Sequence, residues 1–411
     1  MRAELRFWEW IGVQLRSRLW VLWLMGLLPV GLLSCLLTLA GCGEKMSIFQ
    51  PTDLFAVKDY LEDNVYEDSA VPIQLSVIEG NLFVVTADGR LTKRDRNYGE
   101  IAAVTGLANP RALCQDDDGD LVYVWEQGLK QISVYQSSDL SYVGATSLDT
   151  LVLSVYTMVA CRTGIENDPN VSGARTFLYL ADPDSGVIHR HVYDDFSGLS
   201  PYGILARRDG EGARFVHQPA GMAKDGEGML LVCDADTTRN WVIRFDPVPD
   251  FSDTTPDTND QDPWRGRAVV FDQDFVVCVP PAAADYTLGD AAECGEVGWI
   301  GGPSGAAGEF TRPLAVAIDG SHHIFVVDHG NRRIQIFKPK GSYDEVQFGS
   351  AEMSQGPVSI GVVDVRTGSG EFDVNYGAYV FVLVPQLQRV HKFISHEQYI
   401  HINQVPPPDP G

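Results

Sequence analysis

Basic charge is scarce in this 411-residue chain: 31 Lys and Arg stand against 55 Asp and Glu, a formal net charge of −24. No Lys/Arg run concentrates the few cations on one face, and a polyanion needs such a face to overcome the surrounding acid. Nucleic acid is therefore not an expected partner. The acidity suits a cationic ligand or a divalent ion, and equally suits solubility alone. The seven cysteines form no Cys-x-x-Cys pair and no Cys/His spacing of a structural zinc site. Four further signatures are missing: a Gly-x-Ser-x-Gly nucleophile elbow, a His-Glu-x-x-His helix, a Gly-x-x-x-x-Gly-Lys phosphate loop and a dinucleotide fingerprint opening a helix. With them go the chemistries that those local geometries support.

Charge is also absent from Leu19 to Thr38, a run rich in Leu, Val and Trp that follows Arg2, Arg6, Arg16 and Arg18. A basic stretch followed by an apolar one reads as an export signal, although the length alone would also admit a spanning helix. Leu39-Ala40-Gly41-Cys42 decides for the signal, because it resembles a bacterial lipobox. That resemblance implies cleavage before Cys42 and lipid on its thiol. Two or three acyl chains, at about 0.8 kcal/mol per buried CH₂, hold a soluble domain at a bilayer. Residues 1–41 are then the signal peptide and 42–70 a lipidated tether. Gly43 follows where some Gram-negative lipoproteins carry an inner-membrane retention Asp, so the expected address is the cell envelope, and the outer membrane in a Gram-negative cell. With Cys42 lipidated, Cys278 and Cys294 bracket a loop that a disulfide would close. Cys114 and Cys233 sit in apolar stretches and read as small core residues.

From residue 71 onward the chain repeats itself. The clearest unit runs through Gly308-Glu-Phe-Thr-Arg-Pro313, Leu-Ala-Val-Ala-Ile-Asp319-Gly320, Ile324-Phe-Val-Val-Asp328 and Asn331-Arg-Arg-Ile-Gln-Ile-Phe337. This resembles an NHL repeat: Pro before the innermost strand, Asp-Gly in the hairpin, a second strand ending in Asp, and an Asn-Arg-x-Ile third strand. Degraded copies start at Pro72, Pro110, near Val155, at Pro219 and at Pro357. A unit of two to four short strands cannot cover both of its faces, and radial stacking solves that problem. The expected fold is all-β, a β-propeller of about six four-stranded blades over residues 71–394. An insertion is expected at about 249–298, and a tail at 395–411. The spacing exceeds the roughly 40–50 residues usual for propeller repeats, which loops explain; a seventh blade from residues 265–300 is the alternative. Closure of the ring would take a strand from residues 46–58 or 395–405.

Propellers serve both as enzymes and as binding platforms, so function must come from sites. Relatives of the NHL type include a peptidyl-amide lyase, lactonase-like enzymes and non-catalytic interaction modules. The lyase pattern places a metal-binding His directly after the Pro that opens several inner strands, facing the central channel. The matching positions here are Ile73, Arg111, Ala220, Leu314 and Val358, and none is His. His217, two residues before Pro219, is the best single inward-facing ligand, yet one His makes no metal site. Arg111 would meet an anionic group or neutralise nearby acid. Asp116-Asp-Asp-Gly-Asp120 offers oxygen ligands for Ca²⁺ but lacks the length and terminal Glu of an EF-hand loop and coincides with a hairpin turn. No catalytic residue, metal site or cofactor is expected. The favoured reading is a membrane-anchored module that binds a protein, peptide or glycan; the alternative is a metal-dependent hydrolase or lactonase-like enzyme.

Overall fold

The computed structural model describes residues 60–78, 80–116, 119–148, 152, 154–164, 174–194, 198–207, 216–225, 229–246, 267–268, 299–320, 322–338, 343–349, 353, 355–364 and 378–395. All of them belong to the compact unit Lys58–Gly411. The expected signal peptide, Cys42, Cys278, Cys294, most of the 249–298 insertion and all but the first residue of the 395–411 tail lie outside the described residues. No described helix is long and apolar enough to cross a membrane.

The fold is a six-bladed β-propeller. Six antiparallel sheets follow one another along the chain. Their inner strands are Pro72–Ile78, Pro110–Gln115, Thr157–Gly164, Pro219–Lys224, Pro313–Ile318 and Ser359–Asp364, which open blades 1 to 6. Each inner strand lies beside that of the next blade, and blade 6 meets blade 1 to close the ring.

The local sequence explains why strands form at these places. Second strands are unbroken apolar runs such as Leu82-Phe83-Val84-Val85 and Val122-Tyr123-Val124-Trp125, all at most 1% exposed. Such a run suits a strand covered on both faces, which here means by the two neighbouring blades. Each fully buried side chain of this size contributes about 1.5–3 kcal/mol. Outer strands alternate instead, as in Glu100–Thr105 and Tyr142–Ser147, because one edge and part of each face meet solvent.

Two expectations are corrected. The ring closes through Tyr60–Glu67, which pairs antiparallel with Arg389–Ser395 as the outer strand of blade 6. That segment falls within the expected tether and beyond both expected closing segments. Its hydrophobic period is masked by Glu62, Asp63 and Asn64, whose place is explained by the strand it meets. Lys392 Nζ stands 2.8 Å from Asp63, His391 bonds to Glu62 and Arg389 to Glu67. Among the described residues there is also no seventh blade. Arg267–Ala268 and Trp299–Gly301 both pair with the third strand of blade 4, Trp241–Asp246, sharing its outer edge. Trp299 stacks on Trp241 at 4.8 Å between ring centroids and holds the second segment there.

Candidate functional site

The six inner strands enclose a central channel of about 570 Å³, within the size range of small-molecule sites. The strands approach closely where side chains are small. A Cβ on Gly221 would come within 2.3 Å of the Ala315 Cα and 2.6 Å of the Leu314 carbonyl oxygen, so blades 4 and 5 touch through that glycine. Polar side chains stitch other blades together. Gln74 donates to Thr157 Oγ1 at 3.0 Å and accepts the Leu113 amide at 3.0 Å, linking blades 1, 2 and 3. The Ser359 hydroxyl accepts the Leu75 amide at 3.4 Å and donates to the Leu75 carbonyl at 3.3 Å, linking blades 6 and 1.

At the proline end of the channel the backbone carries a recurring irregularity. The pairing of inner with second strand slips directly after the opening proline in blades 1, 2, 4 and 5: between Pro72 and Gln74, Pro110 and Ala112, Pro219 and Met222, and Pro313 and Ala315. A bulge leaves a residue unpaired and re-aims its side chain. Ile73, Arg111 and Leu314 are such residues, and with Val358 they line the channel. Ala220 does not line it; it is 3% exposed and belongs to the core, while its neighbour Gly221 reaches the channel wall.

His217 is not among the channel-lining residues either. Its ring Nδ1 stands 3.4 Å from Asp236 in the next turn of its own blade. Burial works against ionisation of Asp236, but bonds from Thr238 and the nearby His217 outweigh it and hold the carboxyl below its usual range. Cys114 and Cys233 are buried in the core and neither is in a disulfide. Burial first, and the Asp234 charge second, push the Cys233 thiol well above its ordinary value.

The acids that end the second strands face inward, into the blades. Asp328, fully buried, accepts the Thr311 amide at 2.8 Å through one oxygen. Its other oxygen accepts Asn331 Nδ2 and Arg333 Nε, each at 2.8 Å, and Gln335 Nε2 at 3.1 Å. Asp234 accepts the amides of His217 and Gln218 at 3.0 and 2.9 Å. Glu126 accepts the Ala108 amide at 2.6 Å. In each case a carboxylate at the end of the second strand clamps the loop that leads into the inner strand. The Asp…Asn-Arg pattern of the repeat is thereby explained as a scaffold device, since charge-assisted bonds are the strong ones in a buried setting.

A second set of acids holds the hairpins at the opposite end. Asp116 accepts the Leu121 amide, Asp225 the Met229 amide and Asp319 the His323 amide, at 3.1, 2.9 and 2.8 Å. Asp116 thus serves its turn; Asp117 and Asp118 lie outside the described residues. Among the described residues no group of three or more His, Cys, Asp or Glu side chains converges as metal ligands.

Of the groups that line the channel at the proline end, Arg111 is basic and Tyr156 neutral. Arg111 is exposed and donates from Nε to Gln127 Oε1 at 3.1 Å, an amide that Asn109 Nδ2 also reaches at 3.4 Å. Tyr156 lines the same channel. Burial raises its phenol to about 12, against the lowering charge of Arg312, so the hydroxyl is a neutral donor. Sequence reasoning found Arg111 by its place after Pro110 but missed Tyr156, because blade 3 lacks the opening proline that marks the others, and missed Gln127 and Arg312, which lie outside the position after the proline.

No protein-family model matches the chain, and no curated protein matches it. Among solved structures it is similar to the Cps50 (Swd1) β-propeller domain of Myceliophteria thermophila, at 11% identity over 82% of this chain and 99% of that one, with a TM-score of 0.46. It is also similar to virginiamycin B lyase from Staphylococcus aureus, at 10% identity over 82% and 99% with a TM-score of 0.42. A nidogen/laminin complex gives 14% identity over 71% and 85%, again with a TM-score of 0.42. The propeller assignment stands on the strand pairing of the chain itself, and no ligand or activity transfers from these proteins.

Proposed function

We propose that the chain is a lipid-anchored, extracytoplasmic propeller of the NHL type that works as a binding or scaffold module for a protein, peptide or glycan partner of the cell envelope. The observation that carries the binding reading is the use of the recurring acids. Glu126, Asp234 and Asp328 are turned into the blades as loop clamps, and among the described residues no metal-ligating cluster replaces them. A rigid ring that presents loops from six blades is then the feature left to act, in the way that loops on rigid scaffolds carry function. The Asp328, Asn331 and Arg333 network supports the NHL resemblance. The anchor rests on Leu39-Ala40-Gly41-Cys42.

The test is site-specific photo-cross-linking in the full-length protein in a bacterial envelope, with the probe at exposed Leu129 or Tyr142, together with a Cys42→Ser variant. A discrete cross-linked species in the membrane fraction, with release of the protein into the soluble fraction by Cys42→Ser, is the expected result. Membrane association unchanged in Cys42→Ser would overturn the anchor. A failure of every probe position to capture a partner, with turnover of a lactone or ester panel by the pure protein, would overturn the binding reading in favour of catalysis.

A further inference from the structure

We propose that the proline end of the channel binds the carboxylate of a small organic acid or of a peptide C-terminus, with Arg111 as the anion receptor. The proposal deepens the binding reading and rests on it. It starts from an imbalance of charge. The chain carries −24 overall, yet the charged side chains that line the channel are Arg111, Lys224 and Asp116, and Asp116 is engaged by its own turn. The carboxylates that end the second strands of blades 2, 4 and 5, Glu126, Asp234 and Asp328, are spent on loop amides inside the blades.

Arg111 is placed for this role by its backbone. It is the extra residue of the bulge between Pro110 and Ala112, so its side chain is not held to the ladder face of its neighbours. Its Nε is fixed by the neutral Gln127 amide rather than by an acid. The two terminal nitrogens of the guanidinium have no hydrogen-bond or ion-pair partner among the described residues, and the side chain is exposed on the channel. A guanidinium oriented through Nε presents its remaining donors as a fork, the geometry that matches the two oxygens of a carboxylate. Tyr156 adds a neutral hydroxyl on the same channel, and the charge of Arg312 reaches it.

The channel also favours a carboxylate over other anions. Ile73, Val155, Leu314 and Val358 supply apolar patches in a lining that also carries Gln74, Thr157 and Ser359, and such patches can seat a hydrocarbon body behind the charged head. A single fork balances one negative charge. A phosphate group would bring nearly two into a molecule already strongly negative, and the field of the whole protein penalises that more.

The experiment is saturation-transfer NMR on the full chain in a non-ionic detergent, with hexanoate, hexanol, hexylammonium and acetyl-Ala-Ala-Leu in acid and amide forms as probes. The expected result is transfer to hexanoate or to the peptide acid, with at least about tenfold weaker binding of the uncharged and cationic analogues and of every probe to Arg111→Gln, as loss of a charged hydrogen-bond pair implies. Preference between hexanoate and the peptide acid names the source of the carboxylate. Equal binding of hexanol, unchanged binding in Arg111→Gln, displacement of hexanoate by equimolar inorganic phosphate, or no transfer to either acid would overturn the proposal. Arg111 is exposed, so the variant should melt with the parent. The comparison of hexanoate with hexanol in the parent protein stands even if it does not. Photo-cross-linking from Leu129 or Tyr142 does not use Arg111, so failure here leaves the wider binding reading to be judged separately.

Discussion

Replacing Asp328 with Ala measures how much one clamp contributes to the ring. The carboxylate is fully buried and accepts four hydrogen bonds, from Thr311, Asn331, Arg333 and Gln335. Removing it leaves Arg333 Nε, on a side chain only 15% exposed, without its acceptor, and frees the amide that positions the loop before Pro313. Breaking a buried pair from one side costs about 3–5 kcal/mol. Unfolding entropy near 60 °C is about 2.1 cal/mol/K per residue, so a unit of about 350 residues that melts cooperatively loses about 4–7 °C for that cost. Differential scanning calorimetry of Asp328→Ala against the parent reads the shift directly. Asp184→Ala, at an exposed turn position, is the control and should stay within about 1 °C, as surface changes do. A drop of under about 1 °C in Asp328→Ala would refute the reading of this acid as a clamp.

Gly221→Ala should destabilise by about 1–3 kcal/mol through overpacking, because its Cβ would meet Ala315 Cα at 2.3 Å; a denaturant midpoint equal to the parent's would show that blades 4 and 5 do not touch there. Cys233, with its thiol raised by burial and by Asp234, should resist a thiol reagent at pH 8 in the folded protein and react only on unfolding, as a stopped absorbance assay with and without denaturant will show. Alkaline stability follows from buried phenols, and burial raises Tyr98 well above its ordinary value. Burial is the largest cause in raising Tyr66, Tyr135 and Tyr156 from 10.0 to about 12. The folded state therefore holds their protons more tightly than the unfolded chain, a contribution that is full below pH 10 and lost as pH rises towards 12. Melting temperature should fall across that window, in step with phenolate absorbance at 295 nm, and a flat profile would contradict the burial of these rings.

The sequence by itself determined the repeat and most of its local chemistry. Leu82-Phe83-Val84-Val85 and its counterparts announce strands covered on both faces, Asp319-Gly320 announces a hairpin, and the prolines at 72, 110, 219, 313 and 357 mark where inner strands begin. These features are legible because period, turn preference and proline geometry act over a few residues. Arg111 was visible for the same reason, one step after Pro110. The tertiary structure alone decided what depends on residues far apart in the chain. Tyr60–Glu67 reads as polar tether until Arg389, His391 and Lys392 arrive beside it to pair its acids. His217 looks free to face the channel until Asp236 claims its ring. Asp328, Asp234 and Glu126 show their role only when the loops they clamp fold over them. Each of these outcomes is set by a partner beyond the local window. Thr311 and Asp328 are 17 residues apart within one blade, Glu62 and His391 are 329 apart across the ring closure, and neither pairing leaves a trace in local sequence.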